Sequence, residues 1–146
     1  MTDFIRRYGL YLAWLVSMVA TGGSLYFSEV ALFVPCPMCW WQRIFMYPLV
    51  LILGVASYVG DQKVVRYALP FSVIGMGVSA WHYAGQKFPE LFPLGVCRGG
   101  VPCTTEYINW AGFITIPFLA FTAFTLITVI LGIKAYADRR AVASAA

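Results

Sequence analysis

The amino-acid sequence predicts an all-α integral membrane protein, a four-helix bundle whose two ends lie on the same side of the bilayer. Three observations carry this. Hydrophobic side chains make up 61% of the 146 residues and charged ones only 11%, at a mean hydropathy of +0.78. An ordinary soluble domain is nearer about 45–50% apolar and about 25% charged, and a soluble globule of this size has too little interior to hide the difference. Four apolar stretches are each long enough to cross a bilayer, which takes about 20 helical residues at roughly 1.5 Å apiece. Lys and Arg, finally, are shared unequally among the connecting segments. The 17% aromatic content excludes disorder, and the length suits one domain, residues 1–146.

The first span covers about residues 8–27, with no charge between Arg7 and Glu29. Arg6 and Arg7 before an apolar run also suit a secretory leader, but the run continues through residues 25–27. Met18 and Ala20 make a poor cleavage site, so the segment is expected to stay as a helix. The second span covers about 41–59, with Arg43 near its start; the third, about 64–84, has Arg66 at one end and His82 at the other. The fourth, about 111–133, carries no charge. Pro48 and Pro117 are tolerable inside membrane helices. Gly22, Gly23, Gly75 and Gly77 are expected at close helix contacts.

Orientation follows from the short connections. Arg6, Arg7, Lys63, Arg66, Lys134, Arg139 and Arg140 fall on one side, against Lys87 and Arg98 in the loops of the other, with Arg43 at the membrane edge. The richer side is expected in the cytoplasm. Both ends are therefore inside, and two short loops, residues 28–40 and 85–110, are extracytoplasmic in a cell membrane. The basic residues form no run longer than two, so no nucleic acid is expected as a partner.

On that topology all four cysteines, Cys36, Cys39, Cys97 and Cys103, lie in or beside the outer loops, where disulfides persist. The natural pairing is local, Cys36 with Cys39 and Cys97 with Cys103. Cys36-Pro37-Met38-Cys39 opens the second helix, and a helix N-terminus favours a thiolate over a thiol. A ring this small adds little stability and exchanges readily, which suits redox work better than stapling. Positions 36, 39 and 43 have i, i+3, i+7 spacing, which predicts both sulfurs and the Arg43 guanidinium on one helix face. An arginine at that depth is costly and marks a function more readily than a snorkelling anchor. For Cys97 and Cys103, bracketing Arg98, Gly99, Gly100 and Pro102, a staple and a redox pair both fit; the two pairs together favour a relay. Four cysteines also suit zinc, but surface cysteines are normally oxidised and two nearby arginines oppose a cation, so no metal is expected.

Pro35-Cys36 through Gln42-Arg43, the segment Gly23 to Glu29, and Val101-Pro102-Cys103 followed by Tyr107-Ile108-Asn109-Trp110 together resemble the membrane quinone-dependent thiol oxidases of the DsbB type. The likeness is greatest to their short Gram-positive form, BdbC, and covers nearly the whole chain. The resemblance implies a redox-active enzyme of disulfide bond formation. It would regenerate an extracytoplasmic thioredoxin-like (DsbA-like) oxidase and send the electrons to ubiquinone or menaquinone. It further implies that the partner's thiolate attacks Cys97, that the released Cys103 attacks Cys36, and that Cys39 meets the quinone. Arg43 would orient a quinone carbonyl, and His82, at similar depth, would contact the quinone.

Three other functions compete. A vitamin K epoxide reductase-like enzyme places its loop cysteines before the active C-x-x-C, the reverse of the order here. A small transporter subunit would want polar mid-membrane faces, which are lacking. A scaffold with stapled outer loops would need its cysteines only for stability.

Overall fold

A computed structural model describes residues 2–93, 95 and 97–145, which include every candidate site residue. Its helices follow the apolar stretches. The first, α1 (Thr2–Leu25), widens into a π-turn at Tyr26–Val30. α2 spans Pro37–Val59, and α3 (Val65–Lys87) is entered through a single 3-10 turn at Gln62–Val64. α4 spans Ile116–Ala145. The segments Asp3–Val30, Pro37–Val59, Gln62–Lys87 and Ile116–Ser144 are all long and apolar enough to cross a membrane. No strand occurs among the described residues, only one isolated bridge between Trp110 and Ile114.

The helix ends differ from the hydropathy reading for local reasons. α2 starts at Pro37, ahead of the apolar run at about 41, because Cys36 caps it and Pro37 suits the first turn. It stops at Gly60, whose φ of 77° is left-handed and whose N–H closes onto the Ala56 carbonyl. Asp61 then accepts a bond from the Lys63 N–H and turns the chain into α3. The segment expected to begin the fourth span at about 111 forms a turn instead. Ala111 and Gly112 have φ of 54° and 81°, and the Trp110 N–H meets the Ile114 carbonyl at 3.0 Å. The helix therefore starts only at Ile116.

Around the bundle the order is α1, α2, α3, α4, each helix packing on its sequence neighbours and α4 closing onto α1. Leu49 and Leu53 of α2 and Phe124, Ile127 and Leu131 of α4 are wholly buried at the centre, with Ala13 of α1 and Ala68 of α3. Leu15, Val19, Leu51, Val55, Leu126 and Val129 lie exposed on the outside, an apolar exterior suited to lipid. Some interior hydroxyls bond locally or across helices: Ser17 donates to the Trp14 carbonyl, and Thr128 to Ser72 at 3.0 Å across the α3–α4 contact. Those of Thr21, Ser57, Ser79 and Thr115 are buried without a partner among the described residues. At the far end from the cysteines, the buried Lys134 donates to the Arg6 carbonyl at 2.6 Å and pairs with Asp138 at 3.5 Å, joining α4 to α1.

One of the four expected contact glycines lies in a contact. A Cβ on Gly75 would run into the Phe124 ring, whereas one on Gly22, Gly23 or Gly77 would meet nothing. Gly54, not anticipated, lies against the Trp14 indole. Gly75→Ala is therefore expected to destabilise the bundle by about 1–3 kcal/mol through overpacking. Gly77→Ala should leave the thermal midpoint in detergent unchanged or slightly raised, and equal midpoints for the two variants would contradict this packing.

Candidate active site

Cys36 is the N-cap of α2, with extended backbone (φ −72°, ψ 166°) and its sulfur accepting from the Cys39 N–H at 3.3 Å. That turn brings the two sulfurs to 3.0 Å, both as free thiols. The helix N-terminus favours negative charge at this point. The Cys36 thiol is held well below the ordinary thiol range, chiefly by the hydrogen bond with Cys39; burial opposes this and His82 adds to it.

The other pair is a disulfide, Cys97–Cys103, with a Cα separation of 5.8 Å. Its two sides differ: Cys103 is buried, whereas Cys97 is half-buried beside exposed Arg98, Gly99 and Gly100. The loop carrying it is fastened at several points. Lys87 at the end of α3 pairs with Glu106 at 2.8 Å and donates to the Gly112 carbonyl at 3.2 Å. Gln86 donates to the carbonyls of Cys103 at 3.2 Å and Thr105 at 3.4 Å. The Tyr107 ring stacks on Phe33 (centroids 4.7 Å apart, planes within 8°), and its hydroxyl donates to the Val34 carbonyl.

His82 lies where the two pairs converge. Its Nε2 is 3.2 Å from the Cys103 carbonyl oxygen and 3.7 Å from the Cys36 sulfur, and its Nδ1 is 2.9 Å from the Gln42 amide nitrogen. The sulfurs of Cys36 and Cys103 and a ring nitrogen of His82 all lie within 4.8 Å of one another. Such a trio suits a soft metal ion only when Cys103 is reduced, because a disulfide sulfur offers no thiolate. What the arrangement does suit as it stands is thiol–disulfide exchange between neighbouring sulfurs.

On the other side of Cys39 opens a cavity of about 550 Å³ among α1, α2 and α4. Its walls are mostly apolar, with Val16, Ala20, Met46 and Ala123 among them, and Arg43, Gln42, Ser24 and Tyr47 supply the polar groups. Phe33 and Tyr107 reach it from the loops. The Arg43 guanidinium donates to the Ser24 carbonyl at 3.2 Å and sits over the Trp40 ring at 5.3 Å.

The structure thus brings Cys36, Cys39, Cys103 and His82 together, with Cys97 attached through its disulfide. It places Arg43 beside Cys39 on the large cavity. The single face expected for residues 36, 39 and 43 divides at Cys39: Cys36 turns toward His82 and Cys103, while Cys39 borders both this small polar site and the apolar cavity. His82 lines the small site and is not on the wall of the large one. Sequence reasoning missed Gln42, Gln86, Phe33 and Tyr107 as parts of the site. An amide beside an arginine in an otherwise apolar span was the available signal for Gln42, since a buried amide needs a partner.

Four membrane-crossing helices that hold a helix-capping C-x-x-C against a second cysteine pair define a membrane thiol–disulfide oxidoreductase. The family profile described as "Disulfide bond formation protein DsbB" matches residues 6–134, and the chain belongs to that family. It is 54% identical over 122 residues to the "Disulfide bond formation protein C" of Bacillus subtilis, covering 84% of this chain and 88% of that one. It is 52% identical over 124 residues to a "Probable disulfide formation protein C 1" of Bacillus anthracis, covering 85% and 89%. A "Probable disulfide formation protein C" of Halalkalibacterium halodurans is 54% identical over 117 residues, covering 80% and 85%. No solved structure matches the chain.

The unequal burial of the loop pair has a measurable consequence. After reduction in detergent, Cys97 should be alkylated several-fold faster than Cys103, as followed by peptide mass mapping over time. Faster alkylation of Cys103 would mean that the loop does not pack as described.

Proposed function

We propose that the protein is a membrane thiol oxidase that regenerates an extracytoplasmic thioredoxin-like oxidase and delivers the electron pair to a membrane quinone. The observation that carries this reading is the position of Cys39. It borders the polar site holding Cys36 and the apolar cavity holding Arg43. The excess of basic residues on the opposite face of the bundle supports placing the cysteines outside the cell, where their disulfides persist.

The proposed relay is a series of exchanges. The partner's thiolate attacks Cys97, and the Cys97–Cys103 bond breaks with its electron pair leaving on Cys103. The Cys103 thiolate attacks Cys36 of an oxidised Cys36–Cys39 pair, and Cys39 departs as thiolate. The partner's second thiolate then closes the partner's disulfide and frees Cys97. Cys97 attacks Cys103, restoring the loop disulfide and releasing Cys36. One disulfide has moved to the partner, and two electrons rest on Cys36 and Cys39. Free Cys36 and Cys39 beside a bonded Cys97–Cys103 correspond to this stage.

The apolar cavity fits a quinone head group: its volume lies inside the roughly 300–1,000 Å³ usual for ligand sites, with apolar walls and few polar groups. A bound quinone, ubiquinone or menaquinone, supplies a two-electron, two-proton acceptor. On that wall Arg43 is placed to hold a carbonyl oxygen by charge-assisted hydrogen bonding and to stabilise negative charge on Cys39.

An anaerobic assay with purified protein, a reduced thioredoxin-like oxidase and a soluble quinone tests this by quinone absorbance. Wild-type protein is expected to consume quinone, and Cys39→Ser to consume none while keeping its fold. Turnover in that variant would contradict the relay. Arg43→Ala should raise the KM for quinone by about tenfold or more, the cost of losing a hydrogen bond from a charged group. An unchanged KM and rate would reduce Arg43 to a helix anchor.

A further inference from the structure

Gln42 lies one turn into α2, nearly as buried as the histidine it meets; the two are 6% and 1% exposed. Nothing in the relay just described uses it. The geometry around His82 gives it a task. A carbonyl oxygen only accepts hydrogen bonds, so the ring nitrogen 3.2 Å from the Cys103 carbonyl, Nε2, carries a proton. In a neutral ring Nδ1 is then a bare lone pair that requires a donor. The Gln42 amide nitrogen, 2.9 Å away, is that donor. In the other tautomer two lone pairs would face each other at Nε2 and the Cys103 oxygen, and the ring would have to turn away.

We propose that Gln42 is a positioning residue. By donating to Nδ1 it fixes His82 as the Nε2–H tautomer, whose single proton serves the Cys103 carbonyl and the Cys36 sulfur together. This rests on the relay reading and deepens it, because these are the two residues between which the electron pair crosses. The carbonyl bond, shared with Gln86, holds the Cys103 backbone beside Cys36. The sulfur contact, 3.7 Å, supplies a hydrogen bond when Cys36 is a thiolate. Cys36 becomes one when Cys97 attacks Cys103: the new bond joins Cys97 to Cys103, and the pair of the broken Cys103–Cys36 bond leaves on Cys36. His82 keeps its proton throughout, so the step balances without further acid or base.

The titratable neighbours leave this assignment intact. Cys36 and Cys39 come from α2, Cys103 from the loop, and the α4 side of the small cavity contributes uncharged Thr115, Ile116 and Pro117. Glu106 shares that cavity and is neutralised by Lys87 of α3 at 2.8 Å, and Tyr107 on the same wall donates its hydroxyl to the Val34 carbonyl. Arg43 lines the other cavity.

His82 is the chain's one histidine, so nitrogen NMR of the wild-type protein labelled with ¹⁵N-histidine reads its state without ambiguity. A neutral ring protonated at Nε2 is expected at pH 7, with or without quinone. A ring protonated at Nδ1, or at both nitrogens, would overturn the proposal. The functional half is read by iodoacetamide alkylation of Cys36 against pH in fully reduced, quinone-free protein, which separates it from any failure of the quinone reading. Gln42→Met should slow Cys36 alkylation at pH 7 by about tenfold and raise its pH midpoint by about one unit, with Cys97 alkylation unchanged as the control for folding. In a His82→Gln background, where an amide N–H replaces the ring donor and no tautomer exists, adding Gln42→Met should change nothing. An unchanged Cys36 profile in Gln42→Met, or an equal shift in the His82→Gln background, would overturn the role.

Discussion

The site depends on one accepted pair of hydrogen bonds, those that the Cys103 carbonyl takes from His82 and Gln86. Both donors are on α3, four residues apart and so on one face of the helix. Among its described residues, the loop between α3 and α4 forms no helix or strand to hold it. These bonds, the Lys87–Glu106 pair and the Phe33–Tyr107 stack are what press it onto the bundle. Released from α3, Cys103 would have no reason to lie beside the start of α2, and the two cysteine pairs would be separate features.

A second constraint is the division of the interior into a small polar site and a large apolar cavity. Thiolates and their donors need the first environment, and a lipid-soluble acceptor needs the second. Cys39 borders both because it stands one turn inside a helix whose cap is Cys36. A C-x-x-C at a helix start therefore spans the boundary in a single turn, with Cys36 confined to the polar site and Cys39 bordering both. Arg43, one turn deeper, gives the apolar side its charge, and the Ser24 carbonyl and the Trp40 ring hold its side chain in place.

The four helices were legible because spanning a bilayer demands length and apolarity, which composition displays directly. Their ends were less so. The start of α2 depends on a cysteine cap, and the delayed start of α4 depends on left-handed backbone at Ala111 and Gly112, which hydropathy does not record. The cysteines were legible as candidates from their clustering along the chain. So was their local pairing, with Cys97 bonded to Cys103 and Cys36 beside Cys39. The side chains brought in from other helices were not, because that depends on helix rotation. His82 lies between the cysteine pairs and not on the wall of the large cavity, and Gln42 is drawn in as its neighbour. The same rotation separates Gly75, wedged against Phe124, from Gly77, two residues on and facing open space.

The central claim, that the electron pair crosses directly between Cys103 and Cys36 within one molecule, is tested most directly by removing the other two sulfurs. In a Cys39→Ser, Cys97→Ser double variant purified without reductant, mild oxidation should form an intramolecular Cys36–Cys103 disulfide in most molecules, found by non-reducing peptide mapping. Two thiols that stay free, or that link only between molecules, would contradict the account.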